Sequence, residues 1–262
     1  MAVSVVRSST TSGTSAAKPR ASKSGVPAKR ARKKPPLLDH FFAELARVAE
    51  MSAIERRLRD SGFRAVAGTD EVGRGCLAGP VVAACVILDG ESTVFRVNDS
   101  KLVGADDRLS LCRLILQRAR AVAVGVVEPC EIDRINILRA SKLAMATAVE
   151  NLPVRPDILL LDAVLVESLD LPQVPLIEGD KRSVSIAAAS IVAKVYRDLL
   201  MESYHDRYPV YDFRHNRGYA TEEHRAAVKL YGPSPIHRRS FEGVDEPMLL
   251  FGRDEENGGP KR

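Results

Sequence analysis

From Leu37 onward the chain alternates between helical periodicity and short runs rich in β-branched residues. Leu38, Phe41, Phe42, Leu45 and Val48 recur at i, i+3, i+4 and i+7, which predicts an amphipathic helix; a second helical stretch runs towards Asp60 until Ser61-Gly62 stops it. Residues 66–70, 81–88 (with a turn at Asp89-Gly90) and 122–127 are short, β-branched and bounded by turn residues, and read as strands. A helix is expected over 106–118, between the second and third strands. Residues 132–151 predict one further helix with Ile135, Leu138, Met145 and Val149 on its apolar side. Ile158-Leu159-Leu160-Leu161 reads as a buried strand ending on Asp162, and 174–177 as another strand. Residues 183–201 read as a long helix whose Ala187-Ala188-Ala189 run permits close approach to a sheet. Strands and helices in this mixture predict one α/β domain with a central mixed sheet flanked by helices.

Composition sharpens that picture. A chain of 262 residues, 45% hydrophobic, can bury a substantial core. Its formal charge of +5 misleads, because the first 36 residues carry nine Lys or Arg and no acid, leaving 30 bases against 34 acids in the remainder. The body is therefore acidic, and a nucleic-acid role must rest on local groups. Residues 1–36, low in complexity and closed by Pro35-Pro36, are expected to form a disordered basic tail, either a solubilising extension or a salt-sensitive tether to nucleic acid. Cys76, Cys85, Cys112 and Cys130 show no C-x-x-C spacing and read as reduced, mostly buried thiols. No apolar stretch approaches the ~20 residues of a membrane span. The N-terminus lacks the apolar core of a signal peptide, although its composition faintly resembles a transit segment. The cytoplasm is the expected compartment.

The chemistry gathers at acids. Asp70-Glu71 closes the apolar run over 64–69 and is followed at once by Gly73-Arg74-Gly75. A strand sends successive side chains to opposite faces, so both acids are expected to serve one site only if the chain turns there, and the glycines supply a turn. Bare N–H groups beside the Arg74 guanidinium would suit the sugar-phosphate of a polyanion. Asp106-Asp107, Glu222-Glu223 and Glu255-Glu256 read as solvated doublets. Asp162, directly after four apolar strand residues, belongs at the carboxyl edge of a sheet, where α/β proteins place ligands, unless it merely starts a loop. Asp198 shares a helix face with Ala187, Ile191 and Lys194, and Lys194 is either its ion-pair companion or part of a site. Four carboxylates at one edge would repel unless cations sat among them. Oxygen-only ligation favours Mg²⁺ or Mn²⁺ over zinc, and two such ions roughly 4 Å apart suit phosphodiester hydrolysis. His40, His205, His215, His224 and His237 lie in no Gly-x-Ser-x-Gly context, and Gly73-x-Gly75-x-x-x-Gly79 misses the dinucleotide fingerprint.

The run Gly68-Thr69-Asp70-Glu71-Val72-Gly73-Arg74-Gly75 through Leu77-Ala78-Gly79-Pro80 resembles the signature of bacterial ribonuclease HII. Further segments agree in order: Asp99-Ser100-Lys101-Leu102, Ile135-Asn136-Ile137-Leu138-Arg139-Ala140, Gly179-Asp180 to Ser190-Ile191, Ala193-Lys194-Val195 with Arg197-Asp198, Gly218-Tyr219 with Thr221 and His224, and His237-Arg238 with Ser240-Phe241. The resemblance implies a ribonuclease H-like fold with a C-terminal helical extension. It implies a metal-dependent endonuclease that cuts the RNA strand of RNA/DNA hybrids and nicks 5′ of a ribonucleotide embedded in duplex DNA. The products would carry 5′-phosphate and 3′-hydroxyl ends, and the cellular role would be removal of misincorporated ribonucleotides and RNA primers. By motif position Asp70, Glu71, Asp162 and Asp198 become catalytic ligands of two divalent cations, Mn²⁺ or Mg²⁺. Gly73, Arg74 and Gly75 would read the ribose 2′-OH through their backbone. Tyr219 would stack on the sugar of the following nucleotide, and Ser100, Lys101, Lys181, Arg182, Ser183 and Lys194 are candidates for phosphate contact.

This organisation divides the chain into a tail (1–36), a catalytic domain (37–241) and a C-terminal tail (242–262), acting as a monomer. In the last, Pro247-Met248-Leu249-Leu250-Phe251 loosely resembles sliding-clamp peptides but lacks their Gln, and packing against the domain is the favoured reading. Two other functions compete. Ribonuclease HIII shares fold and metals but carries a folded N-terminal substrate domain that 36 residues cannot supply. A non-catalytic nucleic-acid binder would leave four aligned acids unexplained.

Overall fold

The structure, a computed structural model, describes residues 37–89 and 104–245. The basic segment 1–36, Gly90, the candidates Ser100 and Lys101, and the 247–251 segment lie outside the described residues. Helices α1 (Leu37–Met51) and α2 (Ala53–Asp60) lead into β1 (Val66–Val72) and β2 (Val81–Leu88). Then come α3 (Ala105–Arg118), β3 (Ala119–Val127), α4 (Pro129–Ile135), α5 (Ile137–Glu150), β4 (Ile158–Asp162), β5 (Gln173–Leu176), α6 (Gly179–Arg182) and α7 (Val184–Arg207). A 3-10 turn at Pro209–Tyr211, α8 (Phe213–Asn216) and α9 (Glu222–Tyr231) form the helical extension.

The strands make a five-stranded sheet in the order β3-β2-β1-β4-β5. β1 pairs antiparallel with β2 and β2 with β3, whereas β4 runs parallel to β1 and β5 parallel to β4. β1 is therefore central, and its alternate residues feed two cores. Ala67, Ala83, Cys85, Leu159 and Leu161 pack with Ala144, Met145 and Ala148 of α5. On the opposite face Val82, Ala84 and Val86 pack with Ala187, Ala188 and Ile191 of α7 and with Ile115 of α3. The alanine run does what the sequence predicts. α7 lies so close to β1 that a Cβ on Gly68 would stand 2.3 Å from the Ser185 carbonyl carbon, a position only glycine can fill. The N-terminus of α7 is fixed by Glu55 of α2, whose buried Oε1 accepts from Ser183 Oγ (2.6 Å) and Ser185 N (3.0 Å), an anion where the helix dipole favours one.

Several expectations need correction. Asp70 and Glu71 lie inside β1, opposite Ala84 and Ala83, and the chain turns only after Val72. The single helix expected over 132–151 is two, because Asn136 takes φ 72° and caps α5 with its side chain, accepting from Arg139 N (3.1 Å). That break resets the helical phase, so Leu138 is exposed while Met145 and Val149 are buried. The last expected strand ends one residue early, at Leu176, leaving Ile177 exposed. On α1, Val48 is buried but Leu38, Phe41 and Phe42 are exposed. Among the described residues, Cys76, Cys85 and Cys112 are buried free thiols and Cys130 is an exposed one, and no helix is long and apolar enough to cross a membrane.

Candidate active site

β1 and β4 run parallel with Thr69 opposite Leu161, so the next residues, Asp70 and Asp162, emerge at one sheet edge and on the α7 face. Asp70 is nine-tenths buried. Its carboxyl is pushed up to about 8, by burial first and the Glu71 charge second, with Asp162 adding to the effect and a Ser190 hydrogen bond opposing it. Glu71 would leave by the other face on alternation alone. Its amide donates to Asp70 Oδ1 (2.8 Å) and its Oε1 accepts from Arg74 Nη1 (3.1 Å). Burial raises the Glu71 pKa, Arg74 opposes that rise, and the Asp162 charge reinforces it. Three carboxylates thus repel one another at the end of β1 and β4. Asp162 Oδ1 also accepts from Gly179 N (2.8 Å), which anchors the start of α6.

Asp198 arrives from α7. Lys194 Nζ stands 2.6 Å from its Oδ1 and Arg108 Nη1 3.6 Å from its Oδ2. Arg217 Nη1 donates to its backbone carbonyl (2.9 Å). The ion-pair reading of Lys194 is thus observed. Among the described residues, no three His, Cys, Asp or Glu side chains form a ready-made metal cage.

Beyond β1, Gly73 takes φ +92°, and a Cβ there would lie 2.2 Å from Arg197 Nε. The loop then forms isolated bridges, Cys76 to Tyr219 and Ala78 to His237. This puts the half-exposed Tyr219 ring beside the glycine turn, with Lys194 Nζ 5.8 Å and Arg197 Cζ 6.0 Å from its centroid. The Tyr219 backbone is held by a buried relay. Ser234 N donates to His237 Nδ1 (2.9 Å), which leaves the His237 proton on Nε2 to donate to His224 Nε2 (3.0 Å). His224 Nδ1–H then donates to Tyr219 O (2.8 Å). Only two neutral imidazoles satisfy this chain, and burial lowers both pKa values, that of His237 to about 4.

The other candidates divide. Lys181 and Arg182 sit on exposed positions of α6, where Lys181 pairs with Glu178 and Arg182 Nη1 lies 3.4 Å from Ile177 O. Ser183 must be withdrawn as a phosphate contact: it is fully buried, accepting from Ile186 N as the α7 cap while donating to Glu55. Sequence reasoning assigned no role to Ser190, Arg108, Arg197 or Arg238. The last two occur inside the matching segments, but an Arg in a motif says nothing about whether its guanidinium faces water or carbonyls.

A family model described as Ribonuclease HII matches residues 67–244. The chain is 58% identical over 181 residues to Ribonuclease HII of Lactobacillus gasseri, covering 69% of this chain and 72% of that one. Among solved structures, the PCNA:RNase HII complex from Archaeoglobus fulgidus matches with a TM-score of 0.58 and 27% identity, over 70% of this chain and 98% of that one. Bst-RNase HIII in complex with Mn²⁺ matches in fold, with a TM-score of 0.56 at 19% identity, over 70% of this chain and 68% of that one.

Proposed function

The chain belongs to the ribonuclease HII family and is a ribonuclease H, and we propose that it nicks duplex DNA on the 5′ side of an embedded ribonucleotide as well as cutting the RNA strand of RNA/DNA hybrids. Water attacks the phosphorus and the bond to O3′ of the preceding nucleotide breaks, leaving a 5′-phosphate on the ribonucleotide and a 3′-hydroxyl behind it. The observation that carries this reading is the emergence of Asp70 and Asp162 side by side, with Glu71, against the glycine turn. The donor set fits hard divalent cations, since it is oxygen only and its crowded carboxylates repel one another. Asp70, Glu71, Asp162 and Asp198 would hold two such ions, Mg²⁺ or Mn²⁺; Mn²⁺ is the ion in the Bst-RNase HIII complex. Bound there, the ions would supply Lewis acidity to the attacking water and the leaving oxygen.

The chain's own groups orient the substrate in this proposal. Backbone N–H groups of Gly73–Gly75 take the ribose 2′-OH, and the Tyr219 ring stacks on the next sugar. Arg74 holds Glu71 and Lys194 holds Asp198, while Lys181, Arg182, Ser100 and Lys101 are proposed along the phosphates. We assign the catalytic domain to 37–241, working in the cytoplasm in ribonucleotide and primer removal. The test is a DNA duplex with one ribonucleotide, incubated with Mg²⁺, Mn²⁺ or EDTA and mapped at nucleotide resolution. A metal-dependent nick 5′ of the ribonucleotide is expected; cleavage of extended hybrid alone would instead favour specificity of the ribonuclease HIII kind. Because the Archaeoglobus fulgidus RNase HII was solved with PCNA, a sliding clamp is the partner to test for 247–251. Packing of that segment on the domain predicts that Leu250→Ala with Phe251→Ala leaves clamp capture unchanged in a pull-down.

A further inference from the structure

Two arginines, Arg197 and Arg238, are fully buried in this molecule. Among the described residues neither has a carboxylate within ion-pairing distance. Both instead donate to main-chain carbonyls of the turn after β1. Arg238 Nη2 donates to Gly73 O (2.6 Å), Nη1 to Arg74 O (2.9 Å) and Nε to Gly79 O (2.9 Å). Arg197 holds the far end of the same segment, donating to Ala78 O (3.1 Å) and Pro80 O (3.0 Å), and reaches Arg217 O (2.9 Å). A buried cation without a counter-charge is costly, and burial brings the Arg238 pKa down to about 10. An apolar side chain would fill the same volume at lower cost, so the three carbonyl contacts demand an account.

The trans peptide unit supplies it. A peptide is planar and its N–H points opposite to its C=O. With the carbonyls of Gly73 and Arg74 fixed inward on Arg238, the N–H groups that follow them, those of Arg74 and Gly75, point outward. We infer that Arg238 is a positioning residue for ribose recognition, its forked guanidinium locking the Gly73–Gly75 peptide planes so that the Arg74 and Gly75 amides are presented to the 2′-hydroxyl. The fork is essential, because a lysine ammonium is a point charge that cannot satisfy three carbonyls in fixed directions. The position of Arg238 along the chain is itself pinned, since its own amide donates to Leu77 O (2.8 Å) and its guanidinium carbon lies 5.0 Å from the Phe241 ring centroid.

This inference rests on the ribonuclease HII reading, and the experiment separates the two. Wild-type protein and Arg238→Lys are compared for binding, in EDTA, to a duplex with one ribonucleotide and to an all-DNA duplex of the same sequence, alongside thermal melting. The wild type is expected to prefer the ribonucleotide duplex. Arg238→Lys is expected to lose about tenfold of that preference, the worth of one hydrogen bond, with affinity for all-DNA duplex unchanged. An undiminished preference in a folded Arg238→Lys protein, or equal loss on both duplexes, overturns the role. A wild type that neither nicks nor prefers the ribonucleotide duplex removes the underlying reading instead. Should Arg238→Lys fail to fold, amide exchange followed by NMR on the wild type decides. Fast exchange at Arg74 and Gly75 that slows with the ribonucleotide duplex but not with DNA is expected; slow exchange in the free protein, or equal protection by both, overturns it.

Discussion

Asp70 shows how little a residue type says until its neighbours are placed. A carboxyl at the end of a strand is ordinary, but this one is buried beside Glu71 and Asp162, with Ser190 of α7 holding it. Asp70→Asn removes the carboxylate oxygen donor that a cation would draw on and nearly preserves the shape of the side chain. Cleavage is expected to fall by at least about a hundredfold, within the range that misplacing one catalytic group commonly costs, while duplex binding in a gel-shift assay stays measurable. Retained turnover in Mg²⁺ would break the ligand assignment. Tyr219 makes a different prediction, since its half-exposed ring lies beside the glycine turn and carries no ligand atom for a cation. Tyr219→Ala should reduce nicking at a single ribonucleotide by several-fold more than cutting within an extended hybrid, compared as kcat/KM on the two substrates. Equal losses would remove the stacking role. At this scale the sequence was legible for the acids, because an acid doublet beside glycines stands out. It was misleading for Ser183, whose hydroxyl is engaged as a helix cap.

At the scale of elements, β4 is where stability and chemistry meet. Leu159, Leu160 and Leu161 are fully buried, Leu159 and Leu161 in the α5 core and Leu160 in the cluster with Ile186 of α7. Burying such side chains stabilises the fold by roughly 1.5–3 kcal/mol each. Leu160→Ala leaves a cavity as well, and should cost about 2–5 kcal/mol in urea denaturation; a loss under 1 kcal/mol would show that the β4–α7 contact is not tightly packed. The strand pattern was readable because four consecutive apolar residues ending on an acid fit a strand buried on both faces. The stretch 132–151 is two helices because Asn136 holds a positive φ of 72°, which no apolar period announces. The doublet was misread in the opposite sense, as a turn. β1 in fact continues through Glu71 and ends one residue later, at Val72, with the Glu71 carboxylate bonded to Arg74 and close enough to Asp162 to feel its charge.

For the whole molecule, the helical extension serves as the frame of the loop that follows β1. Ala78 packs with Met201, Tyr211, Phe213, Val228 and Ile236, and the neutral His224–His237 relay ties that cluster to the Tyr219 backbone. His237 has its pKa depressed to about 4 in the fold, by burial first and His224 second, against about 6.5 unfolded. Its contribution to stability is therefore complete above about pH 6.5 and lost as pH falls towards 4, by up to about 3 kcal/mol. Urea denaturation at pH 7 and pH 4.5 should show the decline, and a His224→Gln, His237→Gln protein should show a shallower one. An unchanged slope would take the relay out of the acid response. The sequence by itself determined the α/β class, the strands that carry Asp70 and Asp162, and the helix that carries Asp198, because period, turn residues and motif order are properties of neighbours along a chain. Only the tertiary structure decided that Asp70 and Asp162 leave adjacent parallel strands at one edge. It alone showed that Ser183 is sealed under Glu55, and that Arg197 and Arg238 turn their charges inward onto the carbonyls of residues 73–80. Register and burial arise from contacts between segments up to 165 residues apart, and no local pattern encodes which way a guanidinium will face.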